Sequence, residues 1–244
     1  MLSINFHFLD TNILLGAIFP NNKHDNYRIC KIYFEKENHN RYISKRVKEE
    51  SFNVISRERR ITNKLIEHVE EYLSKNNIKP TSVESTIHKL KRNFLSSYRG
   101  KQFPENIPKD KFENTINDLF NEFYDGFKND FINQNTNNIN IFKKDINKTF
   151  RIYSKELNIF IKALKCDEYY KENTYKLLED SINKTSIHRS DKLILLDYYM
   201  LIKTLNQNVG FITQDKGIIK LKQDLKVIFQ EINCLVYYLN DHIT

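Results

Sequence analysis

The sequence predicts an α/β protein in which strand–helix units at both ends of the chain are separated by a long helical stretch. An apolar run from Ile4 to Leu9 has the character of a buried strand, and an apolar, helix-like segment follows it and stops at Pro20. Near the other end, Val209 to Ile212 has the same strand character and follows a helix, 193–205, that is apolar on nearly all sides. Most of the chain between them is polar with helical spacing.

The remaining elements of the first strand–helix region are assigned in chain order. Tyr27 to Phe34 has helical spacing, and Arg41 to Ser44 is a short second strand. Ser44 is placed to cap a helix from Lys45 to about Arg57. A further helix, with one apolar face, follows at 65–73.

The rest of the chain supplies helices in the middle and two more strand candidates at the end. We expect Leu225 to Phe229 to be a strand and Leu235 to Leu239 to be a strand or a short helix. The other predicted segments are helices at Thr115–Phe127, Phe150–Leu164 and Tyr169–Ile182, and a loop at Asn133–Asn140.

These elements define a single domain built from two distant pieces of the chain. The pieces are about 1–59 and about 186–244, and about 60–185 forms an all-helical insertion between them. No linker rich in Pro, Gly or Ser marks a boundary between separate domains.

Composition limits the function classes. The chain has 244 residues and a formal net charge of +8, and a basic surface attracts polyanions such as nucleic acids. The three cysteines are widely separated without metal-ligand spacing, so we expect reduced thiols. The N-terminus lacks the basic region of a signal peptide, and no apolar run reaches the roughly 18 residues that a membrane span needs. We therefore expect a cytoplasmic protein with no membrane partner.

Two acidic residues directly follow predicted strands. Asp10, followed by Thr11 and Asn12, comes after the first strand, and Asp215 comes two residues after Thr213 in the strand near the end. Ligands of open α/β sheets bind outside the carboxyl ends of the strands. Both carboxylates are therefore candidates for chemistry.

Two further acids lie on predicted helices. Ser190 is a candidate N-cap with Asp191 in the first turn, where the helix dipole alone favours an acid. Glu50 falls on the apolar face of its helix, whereas Glu49 points away from that face. A carboxylate on an apolar face is costly unless it is paired or binds a metal. Asp197, which faces another way from Asp191, is expected to be a surface acid or a buried, paired one.

Together these residues resemble the PIN-domain nucleases. The resemblance rests on Leu9-Asp10-Thr11-Asn12, on Val47, Glu50 and Val54, on Ser190 to Leu195, and on Phe211 to Asp215, all in the order of that family. It covers about Ile4 to Ser56 and Ile187 to Leu239, whereas the middle is longer than the connector usual in the family. It implies a Rossmann-like parallel sheet with the four acids gathered at its carboxyl edge.

The resemblance also implies an activity, a cofactor and roles for residues. Members of the family bind Mg²⁺ or Mn²⁺ and cut RNA to leave a 5′-phosphate. Asp10 and Asp215 then ligate the principal metal, Asp191 completes that site or holds a second ion, and Glu50 acts through water or orients the nucleophile. Donors that support these ligands are Thr11, Asn12 and Thr213. The chemistry is consistent, because hard oxygen ligands suit these ions and neighbouring carboxylates need a cation to ionise together.

Several alternatives stay open. A non-catalytic RNA- or protein-binding module on the same fold does not need all four acids. A haloacid-dehalogenase-like phosphatase needs a second Asp where Asn12 stands. His188 and Lys216 are candidates for contacts with the substrate phosphate, although a histidine at a helix entry is more often structural.

The partners follow from the charge and from the resemblance. RNA is the expected substrate. The resemblance leaves open a toxin role, with an antitoxin or another protein bound through the insertion, and it leaves open an oligomer. Two basic runs in the insertion, 88–92 and 99–101, are placed to bind an RNA backbone, with Phe94, Tyr98 and Phe103 available for stacking; core aromatics beneath a solvated face are the alternative.

Overall fold

The computed structural model describes residues 4–19, 26–36, 40–75, 83–97, 136–171, 176–229 and 234–241. The chain divides into two compact units. The first comprises Met1–Asn53 and Tyr153–Thr244, and the second comprises Val54–Ile152.

The secondary structure alternates strands and helices in the first unit. The strands are β1 (Phe6–Leu9), β2 (Asn40–Ser44), β3 (Lys165–Asp167), β4 (Val209–Thr213) and β5 (Cys234–Tyr238). The helices are α1 (Thr11–Ile18), α2 (Asn26–Lys36), α3 (Lys45–Lys75), α4 (Val83–Ser97), α5 (Thr136–Lys162), α6 (Lys176–Asn183), α7 (Arg189–Leu205), α8 (Lys216–Lys220) and α9 (Lys222–Phe229), with a 3-10 turn at Leu239–Asp241.

The five described strands form one sheet in which every pair is parallel. The strand order is β3-β2-β1-β4-β5. From β1 the chain builds the sheet outward through β2 to β3, and it then returns to the other side of β1 with β4 and β5. The direction of winding therefore reverses between β1 and β4, which is where ligands bind in folds of this kind. This confirms the predicted α/β fold with a parallel sheet flanked by helices.

The centre of the sheet is held by aromatic packing. Phe8 of β1 pairs in register with Phe211 of β4, and the two rings stack with centroids 5.7 Å apart. Tyr198 of α7 lies against both rings, and its hydroxyl donates to the carbonyl of Val209 at 2.7 Å and accepts from the amide of Leu235 at 2.8 Å. One buried side chain of α7 thus ties β4 to β5.

Most predicted elements of the first piece are confirmed, and two of them merge. The Oγ of Ser44 accepts a hydrogen bond from the amide of Val47 at 3.3 Å, which is the predicted cap. The helix that begins there does not end near residue 57, because α3 continues without a break through 65–73. Near the C-terminus, 235–238 is a strand, as one of the two predicted alternatives requires.

The prediction of a strand at Leu225–Phe229 is wrong, because these residues end the helix α9. Leu225 and Phe229 are buried, four residues apart, whereas Val227 between them is 75% exposed. A strand would have placed all three side chains on one face. The apolar spacing was therefore that of a helix.

The stretch predicted as an all-helical insertion is not helical throughout. Residues 165–167 form β3, which pairs with β2 at the edge of the sheet. All three are exposed, so they carry no alternating apolar pattern. Residues 136–140 open α5 instead of forming a loop, and the predicted helix at 115–127 lies outside the described residues.

The predicted limits of the insertion, about 60 and 185, stay a prediction. The two unit boundaries lie inside helices, since α3 spans residues 53 and 54 and α5 spans 152 and 153. Within the part of the chain that the structure describes, no helix combines the length and the apolar character that crossing a bilayer requires.

Candidate active site

Asp10 lies at the carboxyl end of β1, beside the end of β4. Its amide donates to the carbonyl of Ile212 at 3.0 Å, and its side chain is the N-cap of α1, with Oδ1 accepting from the amide of Thr11 at 2.7 Å. The other oxygen, Oδ2, accepts from the hydroxyl of Thr213 at 2.6 Å and from the amide group of Asn12 at 2.7 Å. Only 5% of the residue is exposed, so this is a buried carboxylate held by three donors.

Asn12 joins the two strand ends. Its Nδ2 group donates both to Asp10 and, at 3.1 Å, to the hydroxyl of Thr213, and its Oδ1 accepts from the amide of Gln214 at 3.0 Å. The side chain must donate and accept at the same time, which an amide does and a carboxylate does not. Asn12 therefore supports Asp10, as the sequence predicts for it.

Asp215 follows β4 as Asp10 follows β1, and the same network reaches it. Its amide donates to the hydroxyl of Thr213 at 2.9 Å. Its own carboxylate caps α8, because Oδ1 accepts from the amide of Gly217 at 2.6 Å. The two acids lie at neighbouring strand ends, and one carboxyl oxygen of Asp215 is engaged in a helix cap.

Glu50 is connected to the site through Thr11. The Thr11 hydroxyl donates to Oε2 of Glu50 at 2.8 Å, which brings the start of α3 to the start of α1. Glu50 is half-buried and Glu49 is exposed, in agreement with the helical faces predicted for them. Thr11 is a supporting donor, as the resemblance implies, and nothing in the sequence indicated that Glu50 is its acceptor.

Asp191 enters from α7. It is half-buried in the first turn of the helix, and the hydroxyl of Ser190 donates to its Oδ1 at 3.3 Å. The N-cap of α7 is His188, whose Nδ1 accepts from the amide of Ser190 at 3.4 Å and contacts the hydroxyl of the same serine at 2.9 Å. The prediction that Ser190 is the N-cap is therefore wrong, because the imidazole two residues earlier supplies the acceptor.

The pKa of Asp10 is raised from 3.8 to about 7. Burial is the largest cause, and the negative charges of Asp191 and Glu50 add to it. The hydrogen bonds from Thr213 and from the amide of Thr11 lower the pKa, without overcoming the loss of solvation. The charges of two other predicted acids, Asp191 and Glu50, therefore act on Asp10 at the reversal point of the sheet.

The donor set suits a hard divalent cation in its chemistry. It consists of carboxylate oxygens, which Mg²⁺ and Mn²⁺ prefer, and a cation would offset the burial and the like charges that raise the pKa of Asp10. Among the described residues, no group of three or more His, Cys, Asp or Glu side chains stands in an arrangement that could hold a metal ion.

The two candidates for phosphate contacts are on the surface. Lys216 and His188 are both exposed, and the ring of His188 is engaged as the α7 cap. Their contact with a substrate stays a prediction. The basic run 88–92 lies on α4 in the second unit, but Phe94 is 3% exposed and belongs to the core, which agrees with the structural alternative for that ring. Tyr98, Phe103 and the run 99–101 lie outside the described residues.

Asp197 of α7 is a second buried acid, and its side chain lies beside Ser44 at the carboxyl end of β2. Its Oδ1 accepts from the amide of Tyr170 at 2.9 Å, and its Oδ2 is 3.9 Å from Nε of Arg46. Burial raises its pKa to about 6, against the hydrogen bond from Ser44 and the charge of Arg46. This is the buried, paired acid of the two alternatives. The apolar residues around Asp197 in α7 indicated that it would be buried. Nothing in the sequence indicated that Tyr170 would be its partner.

No model of a known protein family matches the chain, and neither a curated protein nor a solved structure matches it.

Proposed function

We propose that this protein is a metal-dependent nuclease that hydrolyses phosphodiester bonds in RNA. One observation carries the proposal: a buried carboxylate, Asp10, lies where the sheet reverses direction, and its pKa is raised to about 7 by burial and by Asp191 and Glu50. The resemblance to PIN-domain nucleases supports it, because their acidic residues occur in the same order along the chain. The net charge of +8 suits a nucleic-acid substrate.

The residues that would hold Mg²⁺ or Mn²⁺ are the four acids Asp10, Glu50, Asp191 and Asp215. When bound, such an ion supplies Lewis-acid stabilisation of the phosphoryl group and a water of lowered pKa. Asn12 and Thr213 fix the carboxylate of Asp10 through its Oδ2 atom, so that its rotamer is set before any ligand arrives. Thr11 does the same for Glu50.

A second candidate is a non-catalytic module that binds RNA or protein. It is favoured by the separation of the acids, since no described group of three stands ready for a metal, and by the engagement of Asp215 as a helix cap. A phosphatase of the haloacid-dehalogenase type is disfavoured. The residue two after Asp10 would have to be an acid, and here it is an amide that donates to Asp10.

The deciding experiment is cleavage of end-labelled single-stranded RNA with Mn²⁺, comparing the wild type with Asp10→Asn and Asp215→Asn. Asparagine is also a good N-cap residue, so both variants keep the cap of their helix. The matched control is Asp180→Asn, which removes an exposed acid from α6.

We expect cleavage to fall by more than about 100-fold in both variants and to stay unchanged in the control, because metal affinity depends on the ligand set. Calorimetric titration with Mn²⁺ should show the same ranking. Equal cleavage in all four proteins would exclude the nuclease proposal. RNA binding without cleavage in any of them would favour the binding module.

A further inference from the structure

The second unit contains a polar groove between its two long helices. The groove has a volume of about 720 Å³ and lies between α3 and α5. Its described lining includes five basic residues and one acidic one: Arg59, Lys143, Lys144, Lys148 and Arg151, with Glu67. None of the described lining residues is apolar. Such a surface does not suit the apolar face of a protein helix, which needs hydrophobic anchors.

The floor of the groove is a hydrogen-bonded pair of amides. Nδ2 of Asn147 donates to Oδ1 of Asn63 at 3.2 Å, and Nδ2 of Asn63 donates back to Oδ1 of Asn147 at 3.4 Å. Nε of Arg59 donates to the same Asn147 oxygen at 2.8 Å, which holds its guanidinium at the groove. These contacts join the two helices through polar groups and leave a polar floor.

The positive charge lies mainly along α5. Lys143 is 3.5 Å from a carboxylate oxygen of Glu67 and 3.8 Å from one of Glu70, so part of its charge is balanced within the protein. Lys144, Lys148 and Arg151 are exposed and recur at intervals of four and three residues, which places them in one row along the helix. The row is about 10 Å long, the axial length of about three stacked nucleotides.

We infer that the α3–α5 groove binds the phosphate backbone of a single-stranded nucleic acid, independently of sequence. The row on α5 contacts successive phosphates, and Arg59 reaches the strand from the opposite wall. The inference goes beyond the nuclease proposal, because it concerns a second site in the other unit and does not need cleavage.

The test is fluorescence anisotropy of 5′-labelled oligouridylate and oligocytidylate titrated with full-length protein in EDTA, which prevents metal-dependent cleavage. The groove variant is the triple replacement Lys144→Gln, Lys148→Gln, Arg151→Gln. The control variant is Lys162→Gln, Lys176→Gln, Lys184→Gln, which removes the same net charge from exposed positions of the first unit. Circular dichroism and thermal unfolding verify that both are folded.

We expect the groove variant to lose at least about tenfold in affinity for both oligonucleotides. The slope of log affinity against log salt should fall in magnitude by about two, since three phosphate contacts on a single strand are lost. The control should change less than about twofold, and Lys144→Arg with Lys148→Arg should bind as the wild type does.

Equal losses in the groove and control variants would show that net charge alone matters and would overturn the inference. An unchanged groove variant, or a loss in the arginine variant, would overturn it too. Because no metal is present, none of these results bears on whether Asp10 supports cleavage.

Discussion

Asp10 should destabilise the fold at neutral pH. A buried acid with a raised pKa binds a proton more tightly in the folded chain than in the unfolded chain, so the free energy of unfolding decreases as pH rises through the interval between the two pKa values. For Asp10 that interval runs from 3.8 to about 7. In the absence of metal, the protonated Asp10 side chain therefore contributes to the free energy of unfolding at pH 4, and this contribution is lost at pH 8.

The magnitude follows from the pKa difference. At about 1.4 kcal/mol for each pKa unit, the change from 3.8 to about 7 corresponds to about 4 kcal/mol. Asp10→Asn removes this pH-dependent loss. It also removes one acceptor, because the three donors around Asp10 need oxygens on both sides of the side chain, and that costs about 1–3 kcal/mol at every pH.

The measurement is urea unfolding of the wild type and Asp10→Asn at pH 4 and pH 8 in EDTA, followed by circular dichroism. We expect the variant to be less stable than the wild type at pH 4. The stability difference should shift in its favour by about 4 kcal/mol at pH 8. Asp180→Asn, an exposed acid, serves as the control and should show no such shift.

A stability difference between Asp10→Asn and the wild type that stays constant within about 1 kcal/mol across this pH range would refute the reasoning. It would mean that the carboxylate of Asp10 is solvated in the folded protein. The electrostatic case for a cation at this position would then fail as well.

Three further predictions concern the packing around the site. Tyr198→Phe should lower the free energy of unfolding, measured with urea, by about 2–4 kcal/mol, because it leaves a carbonyl of β4 and an amide of β5 without the hydroxyl that joins them. Equal stability of the variant and the wild type would show that this hydroxyl does not hold the two strands together. Gly16→Ala should lower the free energy of unfolding by about 1–3 kcal/mol, since a Cβ there would lie 2.6 Å from Sγ of Cys30. In thermal unfolding, the double variant with Cys30→Ala should recover part of this loss. Additive effects of the two substitutions would exclude the clash. Asn12→Leu should lower the free energy of unfolding by about 2–4 kcal/mol, because Asp10 loses a donor and the amide of Gln214 loses its acceptor. The same variant should reduce RNA cleavage. Unchanged cleavage in a folded variant would show that Asn12 does not position Asp10.

The sheet was predictable because its central strands are short, mostly apolar segments that are followed by polar residues. β1 and β4 are almost entirely buried, so their sequences show the continuous hydrophobicity of parallel strands. The edge strand β3 has no such pattern, since all three of its residues are exposed; it pairs with β2 through the backbone, and Lys165 adds side-chain contacts with Asn40 and Tyr42. No rule based on side-chain periodicity detects a strand of this kind.

The site was predictable in its positions and less so in its contacts. The places of Asp10 and Asp215 follow from the ends of β1 and β4, which the sequence marks clearly. The capping role of His188 depends on a backbone conformation that several residue types adopt, so the hydroxyl of Ser190 was an equally reasonable choice. The amide that binds Asp197 belongs to Tyr170, 27 residues away, and a backbone donor leaves no mark on the sequence.

The network around Asp10 also determines when the site is completed during synthesis. Its partner Thr213 is 203 residues further along the chain, and β1 has β4 as a neighbour in the finished sheet. A ribosome-bound chain that has exposed β1 and β2 still lacks the strand that covers Asp10 and the hydroxyl that orients it. A nascent chain therefore lacks the assembled network around Asp10 until β4, which carries Thr213, has been synthesised.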